Sequence, residues 1–296
     1  MKLLTKFNLI LLVIFGAGGL LISHIAYSFL IGNARREVLQ QAQLMLASAK
    51  SVRDYTATDL SPLLQQNPRH RVRFLPETVP FYGATITFNN LRKDNRAFTD
   101  YTYREATLNP TNLEDRASDW EADIINELRN HSEPQITSER STPSGQSLYI
   151  ADPIKVSPDC LECHGVPSAA PRAMLAVYGA TNGFGWKNNE IVGAQIVSVP
   201  MTVPIDIANR AYHQLLLYLV LTLIVAILAL DAGVYLFVIR PLKTVSATAD
   251  RVSRGEKKVP PIKVHGKDEI ATVASSFNRM QLSLAKALNM LEEEEL

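Results

Sequence analysis

Two long apolar runs divide this chain and limit what it can become. Residues 7–30 read FNLILLVIFGAGGLLISHIAYSFL, without Asp, Glu, Lys or Arg. Residues 215–239 read LLLYLVLTLIVAILALDAGVYLFVI, with one charge, Asp231. About 20 apolar residues suffice for a helix to cross a bilayer core, so transmembrane helices are expected at 7–30 and 213–239. The first run outlasts a signal-peptide h-region, and Tyr27-Ser28-Phe29 makes a poor cleavage site. It therefore reads as a retained signal anchor. Asp231 is costly in a bilayer core. It precedes Arg240 by about two turns and reads as a polar residue tolerated near the interface, with a place in a dimer core as the alternative.

Charge distribution orients the chain. The formal net charge is +1, which gives no electrostatic case for nucleic acid. Lys2 and Lys6 precede the first run; Arg240, Lys243, Arg251, Arg254, Lys257 and Lys258 follow the second. Arg35 and Arg36 count against the trend but are outnumbered. The positive-inside rule places both ends in the cytoplasm and residues 31–212 outside. That arrangement predicts a two-pass protein of the inner (plasma) membrane with a periplasmic domain, or its thylakoid counterpart.

The outer segment holds both cysteines of the chain, in PDCLECHG at 158–165. A disulfide across so short a loop would stabilise little. Structural zinc needs four ligands, and no second pair exists. A thioredoxin-like dithiol wants a strand-to-helix junction, whereas Pro158 and the following VPSAAP look like a loop. Cys-x-x-Cys-His is instead the attachment signature of one covalent c-type haem. Thiols three positions apart can add to two vinyl groups on one porphyrin edge, and the next imidazole reaches the iron. Cys160, Cys163 and His164 are the expected attachment and axial residues. For the sixth iron position the free donors are His70, His131, Met45, Met174 and Met201. Met45 or Met174 is the expectation, although Met45 lies in a helical pattern that suits core packing. His70, among Arg69, Arg71 and Arg73, reads as part of a solvated basic loop. Phe184 and Trp186, in YGATNGFGWKNNE, are either packed in their loop or stacked on the porphyrin.

Around the motif the pattern is α+β. Residues 45–64 continue the first span as a helix ending near Pro62. Asn112 is placed to cap a helix carrying Leu113, Ala117, Trp120, Ile124 and Leu128, with Glu114 and Asp115 in its first turn. SLYIADPIKV (147–156) and EIVGAQIVSVPM (190–201) alternate as half-buried strands do.

After the second run, Leu242, Val245, Ala249 and Val252 form one helical stripe. Gly255, Pro260 and Pro261 interrupt it. Ile270, Val273, Phe277, Met280, Leu284, Leu288 and Leu291 then form a heptad seam. With Pro241 after the membrane, Asp268-Glu269 opening the second helix and the run Phe277-Asn278-Arg279-Met280, residues 240–292 resemble a HAMP domain. That resemblance implies a homodimeric bundle relaying motion of the second span. The chain ends in an acidic tail at 293–296, so the expected recipient is a separate cytoplasmic kinase or cyclase, unless the natural chain continues.

YREATLNPTNLEDRASDWEAD (103–123), the attachment motif and NGFGWKNNEIVGAQIVSVPM (182–201) resemble the largely cyanobacterial family of single-haem c-type sensor domains. The resemblance implies a PAS-like haem domain over 31–212, with thioethers at Cys160 and Cys163 and an axial His164. Some relatives are thought to use a cysteine as second axial ligand, and this chain has none to spare. A non-enzymatic membrane sensor of redox state or a diatomic gas is therefore expected. A membrane-tethered electron-transfer cytochrome is the alternative.

Overall fold

The structure, a computed structural model, describes residues 3–131, 134–256, 259–263 and 266–294. Lys2, Lys257, Lys258 and the end of the acidic tail lie outside the described residues, as do the side chains of Leu288 and Leu291. The chain divides into two compact units, one of residues 27–212 and one of residues up to 26 together with those from 213 onward.

Helix α1 (Leu3–Tyr55) contributes to both units. Its sequence changes character along its length. Within the first unit it is amphipathic: Val38, Ala42, Leu46 and Ala49 recur at three- and four-residue steps and are buried. A π turn (Thr56–Leu60) continues it into α2 (Ser61–Gln65). The turn stands directly before Pro62, which has no N–H to offer and would crowd the carbonyl four residues earlier. The short α3 (Pro68–Val72) follows, capped by Asn67, whose Oδ1 accepts from Arg69 N at 3.0 Å. Next come α4 (Pro80–Asp94) and β1 (Thr102–Thr107).

Helix α5 (Asp119–His131) begins later than its sequence suggests. Asn112 caps only a 3₁₀ turn, Leu113–Asp115, and Arg116 then extends and bridges Thr107. The actual helix start carries the glutamate half of a capping box. Glu121 reaches back to accept from Ser118 N at 2.8 Å and Ser118 Oγ at 2.7 Å. Glu121 is also ion-paired to Arg104 at 2.9 Å, which ties α5 to β1.

Strands β2 (Ile136–Thr142), β3 (Gly145–Lys155) and β4 (Ile191–Pro200) complete an antiparallel sheet in the order β1-β4-β3-β2. The fold is thus α+β, as expected. β4 is central and covered on both faces, which explains its nearly unbroken apolar run. Leu148, Ile150, Val197 and Val199 face α1 and α4 with Ala84, Phe88 and Tyr103. Ala106, Ala151, Ala194 and Ile196 pack instead with Ile124, Ile125 and Leu128 of α5. β2 is an edge strand whose polar sequence, ITSERST, hides its strand character.

Two ion pairs tie α1 to the sheet. Arg53 pairs with Glu105 of β1, which also accepts from the Tyr103 hydroxyl. Lys50 pairs with Asp152 of β3, which accepts from Gln135 Nε2 at 2.5 Å. Burial, reinforced by the Glu105 charge, pushes the Tyr103 phenol far up, so it stays a donor.

β3 and β4 are joined by a long excursion. Val156 N donates to Glu190 O and Asn189 N to Val156 O, each at 2.9 Å, closing its base. It contains a 3₁₀ turn (Pro158–Cys160), α6 (Leu161–His164) and α7 (Arg172–Tyr178). After β4, a single residue, the fully buried Met201, leads into α8 (Thr202–Val234).

In the second unit, the apolar segments of α1 and α8 are long enough to cross a membrane and present their side chains outward, Leu20 and Leu217 among them. Asn8 Nδ2 donates to Asp231 Oδ2 at 2.9 Å. Asn8 Oδ1 and Asp231 Oδ1 are each buried without a hydrogen-bond partner among the described residues. Asp231 is therefore held by the first span, a partner that its neighbouring sequence does not announce.

A second π turn (Tyr235–Ile239) again precedes a proline, Pro241, at the start of α9 (Arg240–Ser253). Helix α10 (Glu269–Glu294) packs against α9 and is capped by Asp268, whose Oδ1 accepts from Ala271 N at 2.8 Å. Asn278 clasps the connector from α10. Its Oδ1 accepts from Ile262 N and its Nδ2 donates to Ile262 O, both at 2.9 Å. Gln281 Nε2 adds a bond to Val259 O at 2.6 Å. Asn278→Ala removes both of these bonds from the Ile262 backbone, a loss of about 1–3 kcal/mol. Hydrogen exchange at the Ile262 amide should accelerate by about tenfold or more; an unchanged rate would show that the connector holds itself.

Candidate functional site

The Cys-x-x-Cys-His motif sits on a 3₁₀ turn followed by one helical turn. Pro158 starts the 3₁₀ turn, suited by its preset φ. Both cysteines are free and partly exposed. Cys160 Sγ lies 3.3 Å from Ser157 Oγ. Cys163 packs against a small apolar cluster of Phe74, Ala170 and Met174, bordered by Val79, Leu175, Tyr178 and Phe184. Burial pushes the Cys163 thiol up, and the Glu162 charge adds to this.

His164 is the best-anchored side chain of the site. Its Nδ1 lies 2.8 Å from Gly183 O and 3.3 Å from Thr111 Oγ1. Nδ1 as donor to the carbonyl leaves Nε2 as the lone-pair nitrogen. Burial lowers the imidazole's affinity for a proton, partly offset by the Gly183 carbonyl. The ring is therefore kept neutral, the form that binds a metal. Trp186 stacks on it, with centroids 4.0 Å apart and planes 11° apart.

The carbonyl that orients His164 is itself built by close packing. Gly183 has φ +80°, and its N–H donates to Asn109 Oδ1 at 3.2 Å. A Cβ there would lie 2.1 Å from Thr111 Oγ1 and 2.7 Å from Thr111 N. The loop also folds back on the motif, with Gly185 N donating to Gly165 O at 2.8 Å and Trp186 N to His164 O at 3.2 Å. No sequence motif singles out Asn109, Thr111 or Gly183. The clustered glycines of NGFGW hinted at positive φ, but nothing local points from Gly183 to Thr111.

The expected aromatics have separate places. Trp186 covers the imidazole, and Phe184 borders the Cys163 cluster. Met174 is buried in that cluster, whereas Met45 packs on the α1 side of the sheet among other residues. His70 is not part of a solvated loop: it lies on α3, its ring 5.9 Å from that of Phe74. Asp115 is pushed up to about 6 by burial, against the pull of Arg104; burial also pushes the Tyr178 phenol up, and the Asp115 charge adds to this. No group of three or more His, Cys, Asp or Glu suited to a metal ion occurs among the described residues.

These features suit a covalently held haem. The thiols are unpaired, the imidazole following them is neutral with Nε2 uncommitted, and an apolar cluster adjoins one thiol.

An α+β domain with this motif, joined to a two-helix module after a membrane-length helix, defines a class of membrane sensor. Residues 32–200 match the model of the Tll0287-like family, and residues 234–286 match the HAMP domain. The first match spans more than half of the chain, and the chain belongs to the Tll0287-like family. Among solved structures, the crystal structure of the cyanobacterial heme-protein Tll0287 is similar at 15% identity, with a TM-score of 0.42, over 55% of this chain and 95% of that one. No curated protein matches the chain.

Proposed function

We propose that the chain is a membrane-anchored signal-transduction sensor whose input is one covalent c-type haem. Cys160 and Cys163 would hold the haem through thioethers, and His164 Nε2 would bind its iron. The observation that carries this reading is the imidazole next to two free thiols, oriented through Nδ1 by Gly183 and stacked on Trp186. When bound, the haem supplies an iron whose charge and ligation change with redox state or a diatomic gas.

The residues around it have definable tasks. Gly183 and Thr111 hold the imidazole's direction. Phe74, Met174 and Phe184 keep water from the Cys163 side. β4 ends one residue before α8, so a shift of the sheet reaches the second membrane-length helix without a flexible linker. Beyond it, the HAMP domain is the two-state element that such a shift would bias. Val273, Met280 and Leu284 are exposed on α10, while Ala271 and Ala274 are buried within the monomer. This exposed seam supports a homodimer. The recipient would be a cytoplasmic signalling protein such as a kinase or cyclase, with the haem domain periplasmic and both ends cytoplasmic. In this reading the chain relays and does not catalyse.

The test begins with protein made in a host that attaches haem c. Its mass should exceed that of the chain by one haem, and the Cys160→Ser/Cys163→Ser variant should lose the gain. An unmodified mass would sink the reading. Crosslinks between cysteines introduced along α10 should then change yield between oxidised and reduced protein. Yields indifferent to redox state and gas would favour a tethered electron-transfer cytochrome.

A further inference from the structure

A haem attached at Cys160 and Cys163 with His164 on its iron has one axial position left, and the structure narrows what can fill it. This inference rests on the haem reading above. Outside the motif, the imidazole and thioether donors among the described residues of the unit 27–212 are His70, His131, Met45, Met174 and Met201. Met45 and Met201 pack in the core between α1, α4 and the sheet. His131 ends α5 and is exposed. Met174 and His70 remain. Met174 lies in the cluster that Cys163 borders, and His70 touches that cluster through Phe74.

What separates these two is an unmet requirement. A thioether accepts hydrogen bonds weakly and is at home among apolar neighbours such as Phe74 and Ala170. His70 is different: its Nδ1 is buried and no described residue hydrogen-bonds to it. Buried ring nitrogens are ordinarily satisfied, and one left bare points to a partner that the polypeptide does not supply. The backbone places this ring deliberately. Asn67 caps α3, Pro68 starts it, and α3 packs against α7, the helix that carries Met174. A neutral imidazole can bind a metal through either nitrogen.

We infer that His70 is the second axial ligand of the haem iron, giving the iron two imidazoles. The bond is a lone-pair donation from neutral imidazole and requires no oxidant or reductant. It also assigns the input. An iron closed on both faces by protein nitrogens reports its own redox state and admits a gas only if one imidazole leaves.

The test uses the full haem-loaded chain in detergent, followed by optical and EPR spectra with and without CO. The wild type should be six-coordinate and low-spin in both redox states. His70→Ala should lose the low-spin spectrum and bind CO, and added imidazole should restore it. His70→Met, which keeps a ligand at that position, should stay six-coordinate with a raised midpoint potential. The assignment is overturned if His70→Ala keeps the wild-type spectrum, if the wild type is five-coordinate, or if Met174→Leu abolishes the low-spin state. The mass gain of one haem should persist in every variant. Its absence from the wild type would strike the haem reading itself, a failure distinct from that of the ligand.

Discussion

Gly183→Ala is expected to loosen His164 from the iron of the proposed haem while leaving Cys160 and Cys163 untouched. Two costs add at this position. A non-glycine residue at φ +80° carries about 1–3 kcal/mol of backbone strain. The new methyl would also overlap the Thr111 hydroxyl and backbone nitrogen, and nitrogen in a folded backbone cannot swing away as a side chain does. The loop must shift, and the Gly183 carbonyl that holds Nδ1 shifts with it. Loss of such an orienting partner typically weakens a metal–imidazole bond about 10–100-fold. The reduced protein should therefore show a mixed-spin spectrum, with CO displacing the imidazole at lower concentration. Gly185→Ala is the control, because φ there is +76° but nothing lies within 4 Å of the added Cβ. It should bear only the conformational cost. Equal damage from both variants would refute the role given to Thr111.

Arg53→Met should destabilise the outer domain by about 3–5 kcal/mol, since it strands a buried carboxylate. Glu105 is 5% exposed in its side chain, against 24% for Arg53, and its remaining partner is the Tyr103 hydroxyl. Removing both charges in Arg53→Met/Glu105→Leu should recover most of the loss, because the stranded charge and not the missing attraction dominates. Both tryptophans, Trp120 and Trp186, lie in this unit, so urea unfolding followed by their fluorescence reports on it selectively. A single variant within about 1 kcal/mol of wild type would show that water reaches Glu105. The pair also bears on the proposed relay. It joins the α1 helix, which continues into the membrane-length segment, to the strand beside β4. A variant that folds yet uncouples would separate stability from relay.

Much of the candidate site was legible because its chemistry is local. Cys160, Cys163 and His164 are near neighbours in the chain, so their spacing alone restricts what they can bind. The HAMP segment was legible for a similar reason: capping, proline placement and heptad spacing are short-range features. The Asn278 role was visible only as part of a motif, and its clasp on Ile262 spans 16 residues.

Where the reading failed, a competing short-range interaction or a long-range contact was responsible. Asn112 and the acidic first turn suggested a helix start, but the Ser118–Glu121 hydrogen bond won and left a 3₁₀ turn behind. β2 escaped notice because an edge strand needs no apolar alternation. His70 looked solvated among three arginines, because nothing in RHRVRF shows that one ring nitrogen will be buried near Phe74.

The sequence by itself determined the two membrane-length helices, the haem-type motif, the α+β character and the HAMP-like seam. Each depends on periodicity or spacing within a few turns of chain, where backbone geometry dictates neighbours. Only the tertiary structure decided which carbonyl orients His164, which ring covers it, that Asp231 meets Asn8, and which donors adjoin the Cys163 cluster. Gly183 lies 19 positions from His164, and Asp231 lies 223 from Asn8. No local propensity encodes such pairings, because they exist only once burial of the apolar faces has brought the segments together.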